Sequence, residues 1–134
     1  MNHTSKHKTA EEAVKVVKSG DRIYLHGSAA TPHTLIRALG QRAQELENVE
    51  IISISTLGEM CLADPGCIEA FHFNSVFVSQ NIRQAVNNGM GNYIPVFLSE
   101  IPGLFNKKIS VICLSEFNHP NVSNISIITN FSVE

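Results

Sequence analysis

Apolar and polar positions change their period repeatedly along this chain, and each change marks an element. Ala10, Ala13, Val14 and Val17 form one stripe at helical spacing. Thr9 stands before them with Glu12 three residues on, the capping-box arrangement, and Gly20 stops the run. Residues 22–26 then read as a strand, and its nearly continuous apolar run of Ile23, Tyr24 and Leu25 suits a sheet covered on both faces. Gly27, Ser28, Ala29 and Ala30 keep side chains small where the backbone must turn. Thr31 is the expected N-cap of the next helix and Pro32 its first residue, where a missing N–H costs nothing. Leu35, Ile36, Leu39, Ala43 and Leu46 mark that helix's buried side, with Gly40 a mild weak point.

The second half repeats the alternation. Residues 49–55 are β-branched and strand-like, Asp64, Pro65 and Gly66 mark a turn, and 70–78 read as a strand carrying Phe71, Phe73 and Phe77. A short helix is expected over 80–88, closed by Gly89. Residues 93–98 are strand-like but interrupted by Pro95, and 109–114 read as a final buried strand. Strands alternating with helices predict βαβ units, hence an α/β fold with a mainly parallel sheet and helices on both faces.

Ligands of such sheets collect outside the carboxyl ends of the strands. The loops after His26, Ser55 and Val78 should therefore share one rim. That gathers Gly27, Ser28, Ala29, Ala30, Thr31 and Pro32 near Leu57, Gly58 and Glu59 and near Ser79, Gln80 and Asn81. A small-residue loop opening a helix presents backbone N–H groups suited to an anion or a carbonyl oxygen. Arg83 is the candidate cation for a carboxylate or phosphate, against a plain reading as a solvated helix residue. For the loop itself the plain reading is a tight turn. It is neither a P-loop nor a dinucleotide fingerprint, since it lacks the Gly-Lys ending and the G-x-G-x-x-G spacing. Glu59 is the one carboxylate expected in the crevice, with loop ordering as its simplest role.

Composition narrows the classes. The 134 residues fit one domain, 43% hydrophobic and 16% charged, with a formal net charge of −2. That balance gives no electrostatic footprint for nucleic acid, and low surface charge suits a face covered by more protein. No apolar run approaches the roughly 20 residues of a membrane span, and the first residues lack a signal-peptide core. No membrane is expected as a partner, and the cytoplasm is the expected compartment. Cys61, Cys67 and Cys113 lack zinc-type spacing, and none of the six histidines belongs to an H-E-x-x-H motif, so no metal is expected.

Taken in order, the glycine-aspartate entry at Gly20 and Asp21, the small loop with Thr31 and Pro32, then Arg83, Gly89, Tyr93, Pro95 and the run 99–105 resemble a family. The likeness covers roughly residues 9–108. The chain is similar to the amino-terminal domain of the acetyl-CoA hydrolase/transferase family, which includes acetate and 4-hydroxybutyrate CoA-transferases. The resemblance implies a Rossmann-like α/β domain. It also implies acyl-CoA and a small carboxylic acid as substrates, coenzyme A as substrate with no tightly bound cofactor, and ping-pong exchange of the thioester through a glutamyl-CoA intermediate. Such chemistry splits one hard step into two, needs each carbonyl oxyanion stabilised, and needs water kept out.

The departures matter as much. Family members are about three times longer and carry their nucleophilic glutamate in a second, similar domain. Glu59, Glu100 and Glu116 sit in no matching motif, so no catalytic residue is carried over. Residues 1–108 are read as the family domain and 109–134 as a divergent segment comprising a last strand and a tail, which marks a shortened form. The expected partner is a missing second domain or another copy of the chain. An acyl-CoA hydrolase, or a non-catalytic α/β assembly module, remains open beside the transferase.

Overall fold

The structure, a computed structural model, describes residues 8–105, 111–119 and 122–131. Its centre is a sheet of six strands: β1 (Arg22–Leu25), β2 (Val49–Ser53), β3 (Phe71–Ser75), β4 (Gly91–Tyr93), β5 (Val111–His119) and β6 (Val122–Phe131). They lie in the order β4-β3-β2-β1-β5-β6. The first five strands are mutually parallel, and β6 runs antiparallel to β5 on the edge. The helices are α1 (Ala10–Ala13), α2 (His33–Gly40), α3 (Gln80–Ala85) and α4 (Ile101–Phe105). The expected α/β class with a mainly parallel sheet is therefore the observed one.

Because β1 to β4 step in one direction, right-handed crossovers put their connections on one face of the sheet, while the return from β4 to β5 belongs to the other. Burial follows that logic. Ile23 and Leu25 on β1, Val49 and Ile51 on β2, and Phe71 and Phe73 on β3 point to the packed face and are buried. Register aligns Ile112, Ile23, Ile51 and Phe73 in one row across four strands. Leu35, Ile36, Leu39, Leu62 and Ile82 complete this core.

The opposite face, to which the return from β4 to β5 with α4 belongs, is the less deeply buried of the two. Arg22, Tyr24, Glu50, Ile52, His72 and Asn74 are only half-buried among the described residues. Arg22 pairs with Glu50, Asn74 donates to Glu50 at 2.8 Å, and Asn92 donates to Asn74 at 3.1 Å and lies 3.0 Å from the His72 ring. The single-strand pattern hid this because Tyr24 supports burial on one side and partial exposure on the other equally well.

Local signals explain most boundaries. Thr9 and Glu12 form the expected capping box of α1. The Arg42 guanidinium donates to the carbonyls of Val14 and Val17, tying that helix end to the segment after α2. α2 stops at Gly40 instead of running to Leu46, yet Leu46 is still buried. A Cβ at Gly40 would come within 2.8 Å of the Cys61 sulfur, so glycine here admits the β2–β3 connection. Gly89 takes φ +89° and ends the α3 segment as expected. The strand expected over 93–98 lies earlier, at β4, because Pro95 cannot donate to the ladder. β6 was not foreseen: its Asn and Ser residues mask Val122, Ile125, Ile127, Ile128 and Thr129, whose β-branched side chains favour a strand.

Candidate functional site

The site is built where the strands end. The row above the hydrophobic one reads Leu114, Leu25, Ser53 and Ser75 in register. The core thus turns from methyl groups to hydroxyls just beneath the rim. Ser53 and Ser75 are buried and bond to each other at 3.1 Å, so neither hydroxyl is left unpaired in an apolar setting.

Above that layer three loops are braced together. Gly27 lies so close to the Ser55 carbonyl that a Cβ would collide with it, and the Ser28 N–H donates to that same oxygen at 2.7 Å. Ser28 is held at φ +53°, a conformation uncommon for a residue with a Cβ. Thr31 is not the N-cap of α2; Pro32 occupies that place and caps nothing through its side chain. The buried Thr31 hydroxyl instead donates to the Ser28 carbonyl at 2.7 Å and accepts from the Leu57 N–H at 3.2 Å. A local cap was traded for a bridge between two loops.

From the other side, the Asn81 side-chain oxygen accepts from Ser79 at 2.7 Å and from Thr56 at 3.2 Å, and its nitrogen donates to the Gly58 carbonyl at 3.0 Å. Thr56 and Ser79 are buried. Gly58 sits at φ +78° with the His33 ring packed over it, so a Cβ there would come within 2.7 Å of the ring. Leu57 and Gly58 are therefore clamped between the start of α2 and the start of α3.

Of the candidate residues, Gly27, Ser28, Ala29, Ala30, Thr31 and Pro32 form the first braced loop. Ser28 and Ala29 present exposed side chains at the rim, while Thr31 and Pro32 are buried. The N–H groups of Ser28, Ala30, Thr31 and His33 donate to nearby carbonyls, so these four are not offered to a ligand. Asn81 joins the brace. Gln80 and Arg83 are exposed and take no part in it. Two helical residues separate in direction by about 200°, which turns Arg83 away from the face Asn81 uses. Thr56, Ser79 and His33 complete the arrangement, and sequence alone did not single them out as braces. The signal was present in Ser53 and Ser75, hydroxyls ending two strands at the same register.

A cavity of about 470 Å³ opens beside this brace, between α3 and the connection from β2 to β3, and Asn81, Gly58 and Glu59 line it. Its size is that of a small-molecule site. Burial pushes the Cys61 thiol up, helped by Asp64, and does the same to Cys67. Both are held as thiols and make poor nucleophiles. Among the described residues no group of three or more His, Cys, Asp or Glu is placed to hold a metal ion. No helix among them is long and apolar enough to cross a membrane.

The family model of the acetyl-CoA hydrolase/transferase N-terminal domain matches residues 1–113. Similar proteins include butyryl-CoA:acetate CoA-transferase of Anaerostipes caccae, 36% identical over 80% of this chain and 24% of the relative. They also include succinyl-CoA:acetate/propanoyl-CoA:succinate CoA transferase of Fasciola hepatica, 35% identical over 73% of this chain and 20% of the relative. 4-Hydroxybutyrate coenzyme A transferase of Clostridium kluyveri is 31% identical over 75% and 23% of the two chains. The crystal structure of RipA from Yersinia pestis superposes with a TM-score of 0.67 over 76% of this chain and 26% of that one, and at 24% identity it speaks for the fold alone. The alignments thus take in about a quarter or less of each relative's length. With the matching family model, the parallel sheet and these relatives together, the chain belongs to the acetyl-CoA hydrolase/transferase family, in the part that is its N-terminal domain.

Proposed function

We propose that these residues form one wall of an acyl-CoA:carboxylate CoA-transferase site of the acetate or 4-hydroxybutyrate type. The observation that carries this reading is the brace that fixes the loop 27–32 against Leu57 and Gly58 at the carboxyl rim, in a chain whose relatives are CoA-transferases. A fixed, small-residue wall suits transfer chemistry, which must align a thioester with a carboxylate and keep water from the activated acyl group. The wall contributes shape, since the N–H groups of Ser28, Ala30, Thr31 and His33 are already engaged.

In this reading the attacking glutamate lies outside these residues, in a second domain. It would displace CoA thiolate from the acyl-CoA to give an acyl-glutamyl anhydride; the thiolate then attacks the glutamyl carbonyl, releasing the first carboxylate and leaving a glutamyl-CoA thioester, and the incoming carboxylate runs the same two steps in reverse, freeing the glutamate as the new acyl-CoA forms. Residues 1–108 are the part assigned to the family domain, with 109–134 a divergent segment whose strand β5 lies beside β1 in the same sheet. CoA acts as substrate, and no tightly bound cofactor is invoked. Exposed Phe97, Leu98 and Tyr93 favour cover by further polypeptide, either a second domain or another copy.

The test is calorimetric titration of acetyl-CoA into the purified chain, with thiol release followed in parallel. Binding without turnover supports the reading. Thiol release that needs no carboxylate acceptor would point to a hydrolase, and no binding at all would leave an assembly module.

A further inference from the structure

The cavity beside the brace has a lining chemistry of its own. Asn81, Gln84 and Asn88 form one wall, and spacings of three and four residues put them on one face of the helical segment. Asn81 is committed to the brace. Gln84 and Asn88 are exposed, and their side chains make no hydrogen bond within the described residues. Met60 and Met90, both buried, give the cavity an apolar floor that can follow an irregular aliphatic chain. Among the described residues its charged lining groups are Glu59 and Asp64, neither in an ion pair with another of them. Phosphates and carboxylates are repelled from such a cavity, whereas a neutral chain with amide groups matches both the free amides and the thioether floor.

We propose that this cavity holds the pantetheine arm of the CoA ester, an inference that rests on the CoA-transferase reading above. The arm is neutral, carries two amides separated by short aliphatic links, and ends in the sulfur that bears the acyl group. Gln84 and Asn88 hydrogen-bond its amides, and the methionines cover its methylenes. Glu59 and Asp64 keep the phosphorylated nucleotide end outside. Because Asn81 and Gly58 belong to both cavity and brace, the sulfur end is delivered to the rim beside the small-residue wall.

The experiment uses the 134-residue chain labelled with nitrogen-15, titrated separately with S-methyl pantetheine, adenosine 3′,5′-bisphosphate and acetyl-CoA. The thioether probe avoids exchange with the protein thiols. S-methyl pantetheine should shift the side-chain amide signals of Gln84 and Asn88, and the bisphosphate should not. Gln84→Met and Asn88→Leu should each weaken acetyl-CoA and S-methyl pantetheine by roughly threefold to tenfold, the value of one hydrogen bond, with unchanged thermal melts. If acetyl-CoA binds but neither variant weakens it and these amide signals stay in place, the cavity assignment is wrong and the transferase reading survives. If acetyl-CoA does not bind the unmodified chain, the transferase reading falls and takes this assignment with it.

Discussion

Gly27 and Gly58 are the residues on which the rim depends most directly. A methyl group at Gly27 meets the backbone carbonyl of Ser55, which has nowhere to go without moving β2's exit. Gly27→Ala should cost about 1–3 kcal/mol in a urea melt, the usual penalty of forced overpacking. At Gly58 the backbone itself is in the left-handed region and the His33 ring lies over it. Gly58→Ala should therefore cost about 1–2 kcal/mol from conformation alone. Gly66 has nothing within 4 Å and no left-handed backbone, so Gly66→Ala should be neutral or slightly stabilising in the same melt. Ala29 offers the converse test. Its side chain is exposed at the rim, so Ala29→Leu should weaken acetyl-CoA binding while leaving the melt unchanged. A fall in stability instead would show that the small side chain serves packing.

The thiols make a second residue-level prediction. Cys61, Cys67 and Cys113 all titrate above the ordinary thiol range, chiefly because burial disfavours the thiolate. As pH rises past that range the unfolded chain loses these protons first. The stability they contribute is therefore complete below the ordinary thiol pKa and is lost as pH climbs through the raised folded values. Denaturant midpoints should fall in alkaline solution, and replacing the three cysteines with serine should flatten that decline. Iodoacetamide at neutral pH should label the folded chain at least about tenfold more slowly than the urea-unfolded one.

At the scale of elements, what holds the site is a set of bonds between loops that belong to different βα units. Asn81 serves two hydroxyls and one carbonyl at once. Asn81→Ala leaves the buried Thr56 and Ser79 hydroxyls to each other and frees Gly58, so it should destabilise by about 1–3 kcal/mol. Hydrogen exchange should rise first in the segment around Leu57 and Gly58, whereas uniform loss of protection would mean that the brace is not a local device. The parallel strands were legible because Ile23, Ile51 and Phe73 sit in short β-branched or aromatic runs between glycine and polar punctuation. The meeting of the three loops was legible too, since parallel topology dictates it. Thr31's role was not, because capping and bridging use the same hydroxyl and only the position of Leu57 decides between them. Arg83's direction was not legible for a similar reason: membership of a helix is readable, but its face is fixed only once Asn81 is anchored. The cavity beside α3 could not be read at all, because its two walls are joined by tertiary packing alone.

At the scale of the molecule, the sheet is asymmetric. One face is closed by α2, α3 and the β2–β3 connection, and the other, to which the return with α4 belongs, carries the chain of Arg22, Glu50, Asn74, Asn92 and His72 at intermediate exposure or more. Large apolar groups at Phe97 and Leu98 are three-quarters exposed. The chain matches about a quarter or less of the length of its relatives, and in the proposed reading further polypeptide covers these exposed groups. The central proposal is that this wall holds a CoA ester without transforming it. Isothermal calorimetry of acetyl-CoA against the purified 134-residue chain, with free thiol monitored in the presence and absence of acetate or butyrate, measures both at once. Saturable binding with no thiol release is the predicted result; turnover by the chain alone, or no binding heat at any concentration, would contradict it.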